Sequence, residues 1–221
     1  MNIHELVKTI VENKIADMHI CMPAKIISYD FASQKAVVQP ALNQKYSADE
    51  IIKLPIIHNV PVIHPASGGA SITFPVLKND TVLLIFSERS LEEWLQNGNQ
   101  VTPDDPRQND LTDAIALIGL NPFNKVSNAE NNSDLLLSYA GSKVRLKPDG
   151  VIEAEASEIN LIADDVNIDS PNVMVTGKLT AMNIEATSEM KSATANIGGK
   201  DFATHTHGGV TPGGGATGVV S

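Results

Sequence analysis

The chain has 221 residues, a formal net charge of −10 and 42% hydrophobic residues, with aromatic residues at only 4%. Its 26 acidic residues outnumber 16 Lys and Arg, which argues against nucleic acid and anionic membrane surfaces as electrostatic partners. A lone cysteine, Cys21, excludes an intrachain disulfide.

The aromatic residues are unevenly spread. Trp94 and four of the five Phe precede residue 124, and Phe202 is the one aromatic residue after Leu146. The C-terminal third is therefore not expected to form an ordinary globular core. The opening MNIHELVKTIVENK is amphipathic and lacks the charged and apolar regions of a signal peptide. No run approaches the roughly 18–20 apolar residues of a membrane helix. The expectation is a soluble protein made without an export signal.

Ile3, Leu6, Val7, Ile10, Val11, Ile15 and Met18 recur at helical steps and predict a helix over residues 3–19, capped by Asn2 and ended by Pro23. From Pro23 to Phe123 the pattern is β. AKIISYD and KAVVQPAL flank FASQ as a hairpin; LPIIHNVPVIHP, ASITFPV, DTVLLIFS and DAIALIGL follow. SLEEWLQNG reads as one short helix stopped by Gly98. A five-stranded barrel with one inserted helix fits an OB-type fold. NKVSNAENNSD reads as a linker, and LLLSYAGSKVRLKPDG as a strand pair with a Gly hinge and a closing Asp-Gly turn.

A seven-residue repeat comes next. Ile152, Ile159, Val166 and Val173 are seven apart; so are Ala154, Leu161, Ile168 and Val175, and then Ala156, Ala163, Ser170 and Gly177. Within a repeat these positions are two apart, the period of a strand, whereas a coiled coil spaces them by three and four. The register loosens through Leu179, Ala181, Ile184, Ala186, Met190 and Ala193. A strand repeat cannot bury its inward face alone. Three identical chains around one axis, each supplying one side of a triangular prism, satisfy it and cover the strand edges. Glu153, Glu155, Glu158, Asp164, Asp165 and Asp169 then form a solvated outer face.

The chain ends in DFATHTHGGVTPGGGATG plus three residues. On a strand His205 and His207 face the same side. One chain offers two imidazoles, too few for a closed site; three chains offer six, an octahedral set favouring Fe(II) or a similar first-row ion over tetrahedral zinc. Such a site has no open position and is structural. The competing reading is two solvent-exposed histidines in a mobile glycine-rich tail. His58 and His64, six apart, are not a ligand signature, and His4 and His19 have no visible partner. Phosphate loops, HExxH and GxSxG are absent, and Ser138 and Ser192 lack base partners in sequence. The expectation is a protein that is not an enzyme.

LPIIHNVPVIHPASGGASITFPVLKNDTVLLIFSERSLEEWL, then DLTDAIALIGLNPF, then a β repeat ending in HTHGGVTPGGG, resembles the central spike, or membrane-puncturing protein, of contractile phage tails. This is the baseplate assembly protein V-like family of Mu-like phages and tailocins. The resemblance implies an all-β homotrimer. It implies an N-terminal helix (1–22), an OB-fold domain (23–123), a linker and start of the stalk (124–149), an intertwined triple-stranded β-helix (150–200) and a tip (201–221). It implies one iron ion, Fe2+, per trimer, held by His205 and His207 of all three chains. It further implies attachment to baseplate hub and tail-tube proteins through the N-terminal domain, and mechanical passage through the host outer membrane on sheath contraction. The location implied is the virion tail tip, after assembly in the host cytoplasm. No lysozyme-like insert interrupts this chain, unlike some relatives. The alternative is a binding module, an OB-fold recognising carbohydrate or single-stranded nucleic acid on a β-helical stalk, but residues 23–123 have few of the aromatic and basic side chains it needs. A depolymerase needs a carboxylate pair in a cleft, which a narrow prism lacks.

Overall fold

The computed structural model describes residues 2–45, 51–125, 130–198 and 200–201. Helix α1 (Ile3–Ala16) is set by its own start. Asn2 Oδ1 accepts from the Glu5 N–H (2.9 Å) while Glu5 Oε2 accepts from the Asn2 N–H (3.0 Å), a reciprocal capping box. The helix stops earlier than its periodicity predicts. His19 N–H donates to the Asn109 carbonyl, and the Ile20 carbonyl accepts from Phe86 N–H, so these residues are held by the following domain. Pro23 does not end the helix; it lies within strand β1 (Cys21–Asp30).

β1 and β2 (Lys35–Pro40) form the expected hairpin. Asp30 shapes its turn by accepting from the Ser33 hydroxyl (2.5 Å) and the Ala32 N–H (3.1 Å). These bonds, Ser33 foremost, hold its carboxyl below the usual range. Two-residue strands β3 (Gln44–Lys45) and β4 (Ile51–Ile52) pair with each other, and β5 (Ile57–Ile63) follows. β6 (Ala66–Ser67) and β7 (Ala70–Ser71) pair across Gly68 and Gly69, both at positive φ. The strand expected over ASITFPV is confined to this small ribbon. Ile72 and Phe74 stay exposed, so no buried row rewards extending the ladder. β8 (Thr81–Phe86), α2 (Glu92–Asn97) and β9 (Ala114–Ile118) complete the domain. Gly98 ends α2 in the left-handed conformation, as its position predicts.

Five strands close a barrel in the order β1-β2-β5-β9-β8, with β8 returning to β1. β5 and β9 run parallel and the other neighbours antiparallel. This is an OB-like barrel with a leading helix. Alternate residues fill it: Ala24 and Ile26, Ala36 and Val38, Ile57, Val60 and Val62, Val82, Leu84 and Phe86, Ala114 and Ala116. The register between β2 and β5 shifts between Ala36 and Val38, opposite Asn59 at φ 58°. Asparagine tolerates that conformation, and such a bulge lets a strand bend around a narrow core.

β10 (Leu135–Tyr139), β11 (Ser142–Leu146) and β12 (Ile152–Glu155) make an antiparallel meander. Its first turn, Ala140-Gly141, has positive φ at both residues, as a type I′ turn requires. Its second is the expected Asp-Gly turn. Gly150 (φ 86°) donates to the Lys147 carbonyl and Lys147 to the Val151 carbonyl. Residues 152–155, the first unit of the seven-residue repeat, thus pair back onto β11.

The chain divides into two compact units, Met1–Ile159 and Asn160–Ser221. In the second, the described residues up to 195 form no strand ladder, and β13 (Asn196–Ile197) pairs with β14 (Lys200–Asp201). No helix among the described residues is long and apolar enough to cross a membrane.

Candidate assembly surfaces

The repeat has a visible local geometry. The chain bends at Ser157, Asp164 and Pro171, seven residues apart and at the polar pairs between apolar triplets. Beyond Pro171 the bends come closer, at 176–177, 182, 187–188 and 193, where the apolar register also loosens. Large apolar residues on the repeat register from Ile159 to Ile184 are 53 to 75% exposed, with Leu161 the most exposed, while off-register Ile162, Met174 and Met182 are 87 to 97% exposed. The register positions are thus the less exposed apolar ones. No described residue from 156 to 195 takes part in an intrachain ladder.

The meander has two unlike faces. Paired residues point to the same side. Leu135, Leu146 and Ile152 form one rung, and Leu137, Val144 and Ala154 the next. All six are exposed. The opposite face carries Leu136, Lys143, Arg145, Glu153 and Glu155, with Leu136, Lys143 and Arg145 half-buried. Glu130 pairs with Lys143 (2.5 Å) and Arg145; Arg145 Nη1 donates to Asp134 Oδ2 (3.0 Å); Lys147 pairs with Glu153 (2.5 Å). Hydrogen bonds from Asn131 first, then Arg145 and Ser133, bring Asp134 down to about 2 from 3.8. Bonds from Lys143 and Arg145 lower Glu130 and, in return, Glu130 raises both cations.

On the barrel, Asp113 is 3% exposed. Its Oδ2 accepts from Arg107 Nε (2.6 Å), and its Oδ1 accepts from Arg107 Nη2 (3.1 Å) and the Leu91 N–H (2.9 Å). Arg107 also donates to Asp105 (2.6 Å), and its pKa is raised, chiefly by the Asp113 bond. One carboxylate thus ties the 100–110 loop to the start of α2. Sequence reading missed this pair; the charged residues of DDPRQND were its signal.

α1 buries none of its side chains, and its apolar stripe is exposed from Ile3 to Met18. The His19 ring packs on Phe86 with centroids 5.3 Å apart. His64 Nδ1 accepts from the Phe74 N–H (3.4 Å), with its Nε2 3.4 Å from the Tyr29 hydroxyl. Cys21 is free and exposed. Among the described residues no three His, Cys, Asp or Glu side chains gather as metal ligands. His205 and His207 lie outside the described residues.

The described residues form an OB-like barrel, a two-faced meander and a β-patterned segment that lies outside any intrachain ladder. Residues 22–119, the barrel, match the family model described as Phage protein Gp138 N-terminal domain. That match supports a structural component of a phage particle. Comparison with curated proteins finds no match.

Proposed function

We propose that the protein is the cell-puncturing central spike of a contractile phage tail or tailocin, acting mechanically and not as an enzyme. In this reading the barrel joins the spike to baseplate hub and tail-tube proteins. Residues 150–200 of three chains wind into a triple-stranded β-helix, and sheath contraction drives its point through the host outer membrane.

The observation that carries the reading is the stretch from 156 to 195. It bends every seven residues at first, keeps its register apolar residues less exposed than the off-register ones, and has no intrachain ladder among the described residues. Such a chain gains burial and backbone pairing together only from neighbouring chains. An intertwined prism is stiff because no strand peels away alone, and piercing needs stiffness. The barrel's match to a phage protein domain sets the context.

His205 and His207 of three chains supply six neutral imidazole nitrogens. That donor set suits one octahedral first-row ion, with Fe2+ the choice of this reading. The metal cross-links three chain ends where fraying is otherwise easiest.

Sedimentation analysis and elemental analysis of untagged protein test both parts. A trimer with one metal per three chains is expected. A monomer overturns the spike reading. Replacing His205 and His207 by Ala should remove the metal and keep the trimer; retained metal would overturn the site.

A further inference from the structure

The meander β10–β12 inverts the usual arrangement of a three-stranded sheet. Its charged face is half-covered, with an ion-pair network that occupies Glu130, Asp134, Lys143 and Arg145. Its apolar face is open: Leu135, Leu137, Val144, Leu146 and Ile152 are 38 to 70% exposed. A small sheet with one apolar face is stable only when that face is covered. The charged side of this sheet is already partnered, so the cover belongs on the aliphatic side.

We infer that this face is a register clamp: three copies of the chain close their meanders apolar face to apolar face and so fix the alignment of the β repeat that follows. The inference rests on the trimeric reading above. The occupant is argued from continuity in the sequence. Ile152 and Ala154 are both members of β12 and the first two positions of the repeat, and their row runs on into Ile159 and Leu161. The repeat thus begins inside the meander, on the residues whose apolar face is open. Each chain's repeat has two identical-chain neighbours in this reading, so the meander has the same ones.

The clamp answers a physical problem. In the repeat, moving one chain by seven residues sets Ile159 where Val166 was, Leu161 where Ile168 was, and Ala163 where Ser170 was. These exchanges differ by little in volume, so slipped alignments compete with the correct one. A fixed point is needed that does not repeat. The meander supplies one. Its strands are joined by two short turns and its contacts are local, so it forms within one chain before the chains pair. Its rungs are unlike one another: Leu135, Leu146 and Ile152 in one, Leu137, Val144 and Ala154 in the next, Tyr139 and Ser142 in the last. A shifted association places large side chains against large ones and Ala154 against a void.

The test uses the full chain with Cys21→Ser, which removes its exposed thiol. Val144→Cys places a thiol in the middle of the apolar face, and Ser138→Cys places one on the opposite face. A short bifunctional thiol reagent should link two chains through position 144 and none through 138. In a second arm, Leu137→Asp with Leu146→Asp should lose most of the trimer on refolding from denaturant, or yield a mixture of assemblies. A wild-type trimer whose position 144 does not cross-link, or cross-links no better than 138, overturns the clamp and leaves the spike reading standing. So does full recovery of a single trimer by the double variant. A monomeric wild type overturns the spike reading first, and the clamp with it.

Discussion

Val144 and Arg145 are neighbours on β11, and the strand exposes the valine while half-covering the arginine. Arg145 is held by Glu130 and Asp134, whereas Val144, with Leu137 and Ala154 beside it, is 38% exposed. A strand that folds for its own sake does the reverse. The inversion is the observation on which the proposed clamp rests.

Acid should loosen the charged side of the meander. Asp134 titrates at about 2 in the folded chain against an ordinary 3.8, so the folded form binds its proton more weakly than the unfolded one. Its contribution is present above pH 3.8 and fades as pH falls toward about 2. Glu130 is shifted in the same direction. Thermal melts from pH 5 downward should show this loss, and Asp134→Asn should flatten it.

Ala140 occupies the left-handed region at φ 48°, where a side chain without a local hydrogen bond is strained. Ala140→Asn turns the loop into Asn-Gly, the preferred type I′ pair, and should stabilise by up to about 1 kcal/mol. Gly141→Ala, at φ 91°, should destabilise. Denaturant midpoints of the two variants should move in opposite directions.

Asp113→Ala leaves the Arg107 guanidinium and the Leu91 N–H without their acceptor. Arg107 keeps Asp105 and some water, its side chain being 26% exposed. The expected cost is therefore about 1–3 kcal/mol, below that of a fully buried broken pair. Trp94, on α2, reports it: its fluorescence transition in urea should move to lower denaturant.

Leu84 is fully buried at the centre of a barrel core made largely of Val and Ala. Leu84→Ala should destabilise the barrel by about 2–5 kcal/mol, because its small neighbours have little reach to refill the space. The trimer should persist if the stalk alone holds it; urea unfolding and sedimentation together separate the two.

Metal binding should fall with pH, because each imidazole must be neutral to serve as a ligand. Elemental analysis after acid dialysis should show metal lost from the wild type. Readdition at neutral pH should restore it, and only where His205 and His207 are present.

Much of this was legible in order along the chain. Asn2 announces the cap of α1, Gly98 the end of α2, and Asp149-Gly150 the second turn of the meander, because caps and turns depend on residues within a few positions. The seven-residue spacing of Ile152, Ile159, Val166 and Val173 reappears as bends at Ser157, Asp164 and Pro171. The failures involve distant partners. ASITFPV has strand-forming residues, but the barrel closes through β9, parallel to β5, and leaves Ile72 and Phe74 outside. Pro23 looked like a helix stop, yet the ladder with β8 takes it into a strand.

The sequence by itself determined the alternation that fills the barrel, the β repeat and the histidine pair, since each is a periodicity or spacing carried by the side chains. Only the tertiary structure decided which strands are neighbours, that Asp113 is buried beneath Arg107, and that the meander half-covers Lys143 and Arg145 and bares Leu135, Leu137 and Leu146. Those depend on which surfaces lose water together, and that is a property of pairings between residues far apart in the chain.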